Sequence, residues 1–113
     1  KRKYFFNYDF SKKSFFKEDF LKFQNKQMRT VWDIPNNKSR DELAYGKHPT
    51  QKPERLIDRM IKLSSKKNNL MLCPFSGSGT ECLVAYKNKL NFIGIENNKK
   101  YLNISKKRLK NYK

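Results

Sequence analysis

Leu70-Met71-Leu72-Cys73-Pro74-Phe75-Ser76-Gly77-Ser78-Gly79-Thr80 is the stretch that decides the fold. Its first four residues form a short apolar run, which suggests a buried strand. Pro74 to Thr80 follow as a tight loop. Thr80 opens the next segment, and Glu81 to Lys87 read as a helix with Leu83, Val84 and Tyr86 available for packing. Asn91-Phe92-Ile93-Gly94-Ile95-Glu96 is a second buried strand that ends in a carboxylate. A strand–helix–strand unit of this kind places its two strands parallel and adjacent through a right-handed crossover.

Working outward, Pro53 suits the first turn of a preceding helix, with Glu54 near the positive end of its dipole. Leu56, Ile57, Met60, Ile61 and Ser64 recur at helical spacing and give that helix one apolar face. On the other side, Asn97 or Asn98 caps a last helix carrying Tyr101, Leu102, Ile104, Leu109 and Tyr112. The order is helix–strand–helix–strand–helix, an α/β arrangement. Two strands alone make a poor sheet. The unit therefore reads as one edge of a larger doubly wound, Rossmann-like fold.

Glycine has no Cβ, so Gly77 and Gly79 let backbone approach a ligand closely. Glu96 ends the next strand, at the separation where an acid accepts hydrogen bonds from a ribose diol. A dinucleotide and S-adenosyl-L-methionine both carry an adenosine ribose. A nicotinamide site adds a third glycine two residues further along. Glu81 and Cys82 occupy that neighbourhood, which counts against a pyrophosphate ligand.

Upstream of Lys47 the pattern is less regular. Lys3 to Asp9 has β-type composition and is expected as a short strand. Phe15, Phe16, Phe20 and Phe23 are interleaved with lysines between Ser11 and Phe23. Such aromatics either stack on exposed bases or pack against a core. From Gln24 to Lys47 no period is sustained, and Pro35-Asn36-Asn37 reads as a turn or loop. Two units are expected: a leading segment, 1–47, and a ligand-binding subdomain, 48–113.

The chain of 113 residues carries 27 Lys and Arg against 10 Asp and Glu, a net charge of +17. A surplus of that size favours a polyanionic partner, since each phosphate neutralised releases counterions. The joint richness in Lys, Asn, Phe, Tyr and Ile also fits an AT-rich coding sequence, with the lysines solvated. No apolar run reaches the roughly 20 residues of a membrane span. Cys73 and Cys82 are too far apart for a C-x-x-C site, and with His48 as the one histidine no metal site is expected. These features lead to an expectation of a reduced, soluble, cytoplasmic protein. The first residue is Lys1, so a processed product or a fragment is expected.

Several motifs in order carry a more specific likeness. They are Val31-Trp32-Asp33-Ile34-Pro35, His48-Pro49-Thr50-Gln51-Lys52-Pro53, Pro74 to Thr80, Phe92 to Glu96, and Tyr101 to Arg108-Leu109. Together they resemble the C-terminal part of the β-type DNA amino-methyltransferases of restriction–modification systems. That family modifies adenine N6 or cytosine N4, and its motif order is permuted so that the cofactor motif comes last. The resemblance implies a partial Rossmann-like methyltransferase fold, S-adenosyl-L-methionine as cofactor and double-stranded DNA as partner. It implies that Thr50 helps hold the methionine carboxylate, that Phe75 covers the cofactor and that Gly77 and Gly79, with Thr80 opening the helix, admit its methionine portion. Glu96 would bind the ribose hydroxyls. Each has a plainer alternative: a helix cap for Thr50, core packing for Phe75, a solvated acid for Glu96. His48 is expected to be structural, with a ring nitrogen bonded locally.

Two departures from the family pattern stand out. Cys73, at a position the resemblance makes cofactor-binding, replaces the Asp that the family places before Pro-Phe to balance the cofactor's ammonium group, and a thiol accepts hydrogen bonds weakly compared with a carboxylate. The family's catalytic tetrapeptide, an acid or amide followed by Pro-Pro and an aromatic, is absent, and no Pro-Pro occurs in the chain. No catalytic residue is therefore expected here. The chain alone is expected to be inactive, with the catalytic half upstream in the same gene product or in a companion chain. The competing reading is a non-enzymatic, basic nucleic-acid-binding remnant of a decayed methyltransferase gene. RNA is a less favoured substrate, and adenine is preferred to cytosine.

Overall fold

In the computed structural model, which describes residues 4–13, 25–36 and 38–112, β1 (Leu70–Cys73) and β2 (Asn91–Gly94) pair in parallel. Leu70 lies opposite Asn91 and Cys73 opposite Gly94. Side chains alternate across a strand, so the two faces of the pair have different surroundings. Met71 and Phe92 pack against Ile57, Ile61, Val84, Ala85 and Leu90. Leu70 and Leu72 remain 65% and 61% exposed, and Ile93 and Ile95 are about half exposed.

Three helices accompany the strands in the expected order. They are α3 (Glu54–Ser64), α4 (Thr80–Lys87) and α5 (Lys99–Asn111). Gly79, in the left-handed region at φ +76°, is the N-cap of α4. Asn98 caps α5, its side chain accepting from the Lys100 and Tyr101 amides. The buried face of α3 differs from the one its spacing suggests. Ile57, Ile61 and Leu63 are buried with Arg59, while Met60 is half exposed. Arg59 sits beneath the Trp32 ring, its guanidinium carbon 5.0 Å from the ring centroid. A cation–π contact of this kind makes a buried guanidinium tolerable.

The leading segment is more ordered than its composition indicates. The expected strand over Lys3 to Asp9 is not formed among its described residues. Tyr8 and Asp9 instead begin α1 (Tyr8–Lys13). The Asn7 side chain accepts from the Phe10 amide at 3.0 Å, a helix-capping bond. The Asn7 amide in turn donates to the Leu63 carbonyl at 2.8 Å, which seats α1 on the end of α3. Within the stretch that showed no period lies α2 (Arg40–Leu43), closed by a capping box between Ser39 and Glu42. Glu42 serves two helices, since its second oxygen accepts from the Glu54 amide at 2.9 Å. Phe15, Phe16, Phe20 and Phe23 fall outside the described residues. No helix among the described residues is long and apolar enough to cross a membrane.

Candidate functional site

The loop between β1 and α4 takes its shape from two left-handed glycines, Gly77 at φ +52° and Gly79 at φ +76°. A Cβ at Gly77 would meet the His48 Nε2 at 3.2 Å. One at Gly79 would collide with the Ser105 hydroxyl. Both positions thus need glycine, for conformation and for room. β2 fixes the first half of the loop: the Ser76 amide donates to the Ile95 carbonyl at 2.9 Å. The Gly77 amide donates to Glu96 Oε2 at 2.8 Å, while Oε1 accepts from the Asn98 amide at 2.8 Å. The acid after β2 and the first glycine are therefore in direct contact. Each carboxylate oxygen retains a lone pair beyond the one its amide uses.

Thr50, Phe75, Gly77 and Thr80 line one cleft of about 160 Å³, together with His48, Gln51, Lys52, Ser76, Ser78 and Glu81. Gly79 holds the turn behind it, and Glu96 joins it through Gly77. Phe75 is 92% exposed at the rim, so it packs in no core of this chain. Thr50 does not cap α3, whose N-cap is Pro53 and has no side-chain cap bond. Instead the Thr50 amide donates to His48 Nδ1 at 3.2 Å. The His48 ring stands edge-on against Tyr101 at 4.2 Å. Thr80 is buried, its hydroxyl accepting from Arg108 at 2.9 Å.

Cys73 is set apart from the cleft lining. It ends β1 as a buried thiol hydrogen-bonded with Cys82. Burial pushes the Cys73 thiol up; the bond from Cys82 opposes this and the charge of Glu81 adds to it. Burial also pushes Cys82 up, to about 12, with Cys73 and Glu81 contributing. Both thiols are neutral near pH 7.

The cleft carries both signs of charge. Lys52 and the amide-rich start of α4 are positive, and Glu81 and Glu96 are negative. Such an arrangement suits a ligand with a zwitterionic end and a diol. Composition did not single out Gln51 or Arg108. Gln51 is buried, accepting from the Ser78 hydroxyl at 2.9 Å and donating to the Glu42 carbonyl at 2.9 Å. Larger cavities exist among the described residues, including one of about 370 Å³ bordered by Ser39, Tyr45 and Arg108, which does not include the glycine loop.

Known proteins share the sequence and fold of this chain. The N6_N4_Mtase family model, DNA methylase, matches residues 1–107. The type II methyltransferase M2.LlaDCHI of Lactococcus lactis subsp. cremoris is 43% identical over 109 residues, 96% of this chain and 37% of that protein. The DNA adenine methyltransferase YhdJ of Escherichia coli (strain K12) is 45% identical over 80 residues, 70% of this chain and 26% of its own. The crystal structure of the M1.HpyAVI-SAM complex aligns with a TM-score of 0.53 at 42% identity, over 57% of this chain and 33% of its own. The chain spans little more than a third of the length of M2.LlaDCHI. Its helix–strand–helix–strand–helix core is a partial Rossmann-like methyltransferase fold. The chain belongs to the N6_N4_Mtase family of DNA methylases.

Proposed function

We propose that this chain is the S-adenosyl-L-methionine-binding, C-terminal portion of a site-specific DNA methyltransferase. The reaction of the whole enzyme is methylation of an exocyclic amine in double-stranded DNA, adenine N6 in preference to cytosine N4. The observation that carries this is the 2.8 Å bond between the Gly77 amide and Glu96. It joins the glycine loop and the ribose-binding acid in one cradle, and a side chain at Gly77 would crowd it. Glu96 binds the ribose hydroxyls, and Phe75 covers the ligand from the rim. Thr50 and the first amides of α4 hold the methionine carboxylate, with Gly77, Gly79 and Thr80 shaping the space. Cys73 stands near the ligand's ammonium group as a weak neutral acceptor. When bound, the cofactor supplies an electrophilic methyl group.

This chain alone is inactive in that reaction. An exocyclic amine is a poor nucleophile, and the acid- or amide-Pro-Pro-aromatic tetrapeptide that would activate it does not occur in the sequence. The catalytic half lies upstream in the same gene product or in a companion chain. Two observations support such a partner. The exposed Leu70, Leu72, Ile93 and Ile95 leave one sheet face bare, and parallel sheets are normally covered on both faces. The relatives are also far longer than this chain. Residues 1–47 lead out of that missing half and hold a remnant of the target-recognition region, while 48–113 form the cofactor subdomain. The +17 charge favours the DNA phosphates. It would also suit a cytoplasmic DNA-binding protein with no enzymatic role.

Calorimetric titration of the chain with S-adenosyl-L-methionine tests the reading. Binding is expected, weakened about tenfold or more by Glu96→Ala, which removes charge-assisted hydrogen bonds. No heat at millimolar ligand, with DNA binding retained, would instead identify a basic nucleic-acid-binding remnant. Methyl transfer to DNA on mixing with an upstream half would exclude that remnant.

A further inference from the structure

Arg108 lies near the end of α5 and is 3% exposed. One arm of its guanidinium, Nη1, donates to the Ser78 carbonyl at 3.0 Å and the Thr80 hydroxyl at 2.9 Å. The other, Nη2, donates to Glu54 Oε1 at 2.7 Å on α3. The second Glu54 oxygen accepts from Lys87 at 2.6 Å, so the buried charge is paired. The Ser78 hydroxyl continues the chain of bonds to Gln51 at 2.9 Å. A single side chain thus joins α5, the glycine loop and the start of α3.

The loop has two left-handed glycines and little conformational preference of its own, since glycine visits that region as readily as others. Its shape depends on outside ties, and these fall into two groups. Ile95 and Glu96 hold Ser76 and Gly77 from the β2 side. Arg108 holds Ser78 and Thr80 from the α5 side. On the reading above, Glu96 of the first group meets the ribose end of the ligand, while Arg108 holds Ser78 and Thr80 at the methionine end.

Resting on that reading, we propose that Arg108 is a positioning residue that shapes the methionine-binding half of the cleft while leaving the ribose half to Glu96. A fork of fixed geometry suits this task, because it reaches a carbonyl, a hydroxyl and a carboxylate together. Lysine, with a single ammonium group, cannot span all three.

The test compares S-adenosyl-L-methionine with 5′-methylthioadenosine on the full chain; the second keeps the adenosine and methylthio groups and lacks the amino-acid end and the sulfonium charge. Arg108→Met is expected to weaken the first about tenfold or more, in line with the loss of charge-assisted bonds. The second should change by less than about threefold, as expected for a site whose own bonds remain. Arg108→Lys should recover part of the loss. Thermal unfolding of each variant accompanies the titrations; if Arg108→Met does not fold, the same split read in Arg108→Lys decides. Parallel weakening of both ligands, or of neither, overturns the proposal by making Arg108 a general structural support or a bystander. Should the unsubstituted chain bind neither ligand, the cofactor reading itself falls, and the proposal falls with it.

Discussion

Across one face of the sheet, Met71 and Phe92 meet Ile57, Ile61, Val84, Ala85 and Leu90, whereas Leu70, Leu72, Ile93 and Ile95 leave the other face in water. The same two strands supply both faces, and their composition is apolar on each. The difference lies in what the chain provides to cover them. Helices α3 and α4 contact each other, and α4 contacts both strands, on the covered side. The cleft beside the glycine loop is wired from this covered side through Glu96, Gln51 and Arg108. That cleft can therefore take shape whether or not anything covers the bare face.

The largest expected contrast is between substitutions on the two sides. Ile61 is buried, and Ile61→Ala should cost about 2–5 kcal/mol, the usual range for an aliphatic cavity. Leu72→Ser, at a site 61% exposed, should stay within about 0.5 kcal/mol of the unsubstituted chain. Urea unfolding measures both. Equal losses would show that something already covers the second face. If an upstream half docks there, Leu72→Ser should weaken that association while leaving the chain's own stability intact.

A second contrast lies within the loop. Alanine at either left-handed glycine costs about 1–2 kcal/mol in backbone strain. At Gly79 the new Cβ also collides with Ser105 of α5, and overpacking of this sort adds about 1–3 kcal/mol. At Gly77 the nearest atom, the His48 Nε2, is 3.2 Å away. Gly79→Ala should therefore lower the melting temperature more than Gly77→Ala. The reverse order would mean that α5 does not press on the loop as described.

Sequence alone revealed most of the covered side. The short apolar runs, paired glycines and Asn98 cap are local signals, and they mark β1, α4, β2 and α5. The leading segment was harder to read. Aromatic composition suggested a strand where Asn7 caps α1, because a side-chain cap outweighs β propensity over so few residues. The Ser39–Glu42 capping box was visible in principle, but its helix has only four residues. The face of α3 was misplaced because Arg59 is buried against Trp32, and hydropathy cannot anticipate a buried guanidinium. Spacing put Glu96 at the end of the second strand's run, where it meets the glycine loop, whereas the Arg108–Glu54 tie joins residues 54 positions apart and has no local signature.

A further contrast concerns Cys73, a buried residue set apart from the cleft lining. Its thiol is kept neutral by burial and shares a hydrogen bond with Cys82, so on the proposed reading it would offer a ligand's ammonium little. Cys73→Asp should tighten S-adenosyl-L-methionine binding by roughly 10- to 100-fold, the equivalent of about 1.5–3 kcal/mol for a hydrogen bond to a charged group. A carboxyl at this buried position near Glu81 would have its pKa raised in the free chain, while a bound cation would lower it. Ligand binding would then release a proton, and the gain in affinity should grow as pH rises through the carboxyl's raised pKa in the free chain. The unsubstituted chain has no such carboxyl, and its neutral thiol gives no matching pH dependence there. Calorimetry at pH 6 and pH 8 separates the cases. Unchanged affinity at both would remove Cys73 from the ligand's surroundings and leave the position to packing alone.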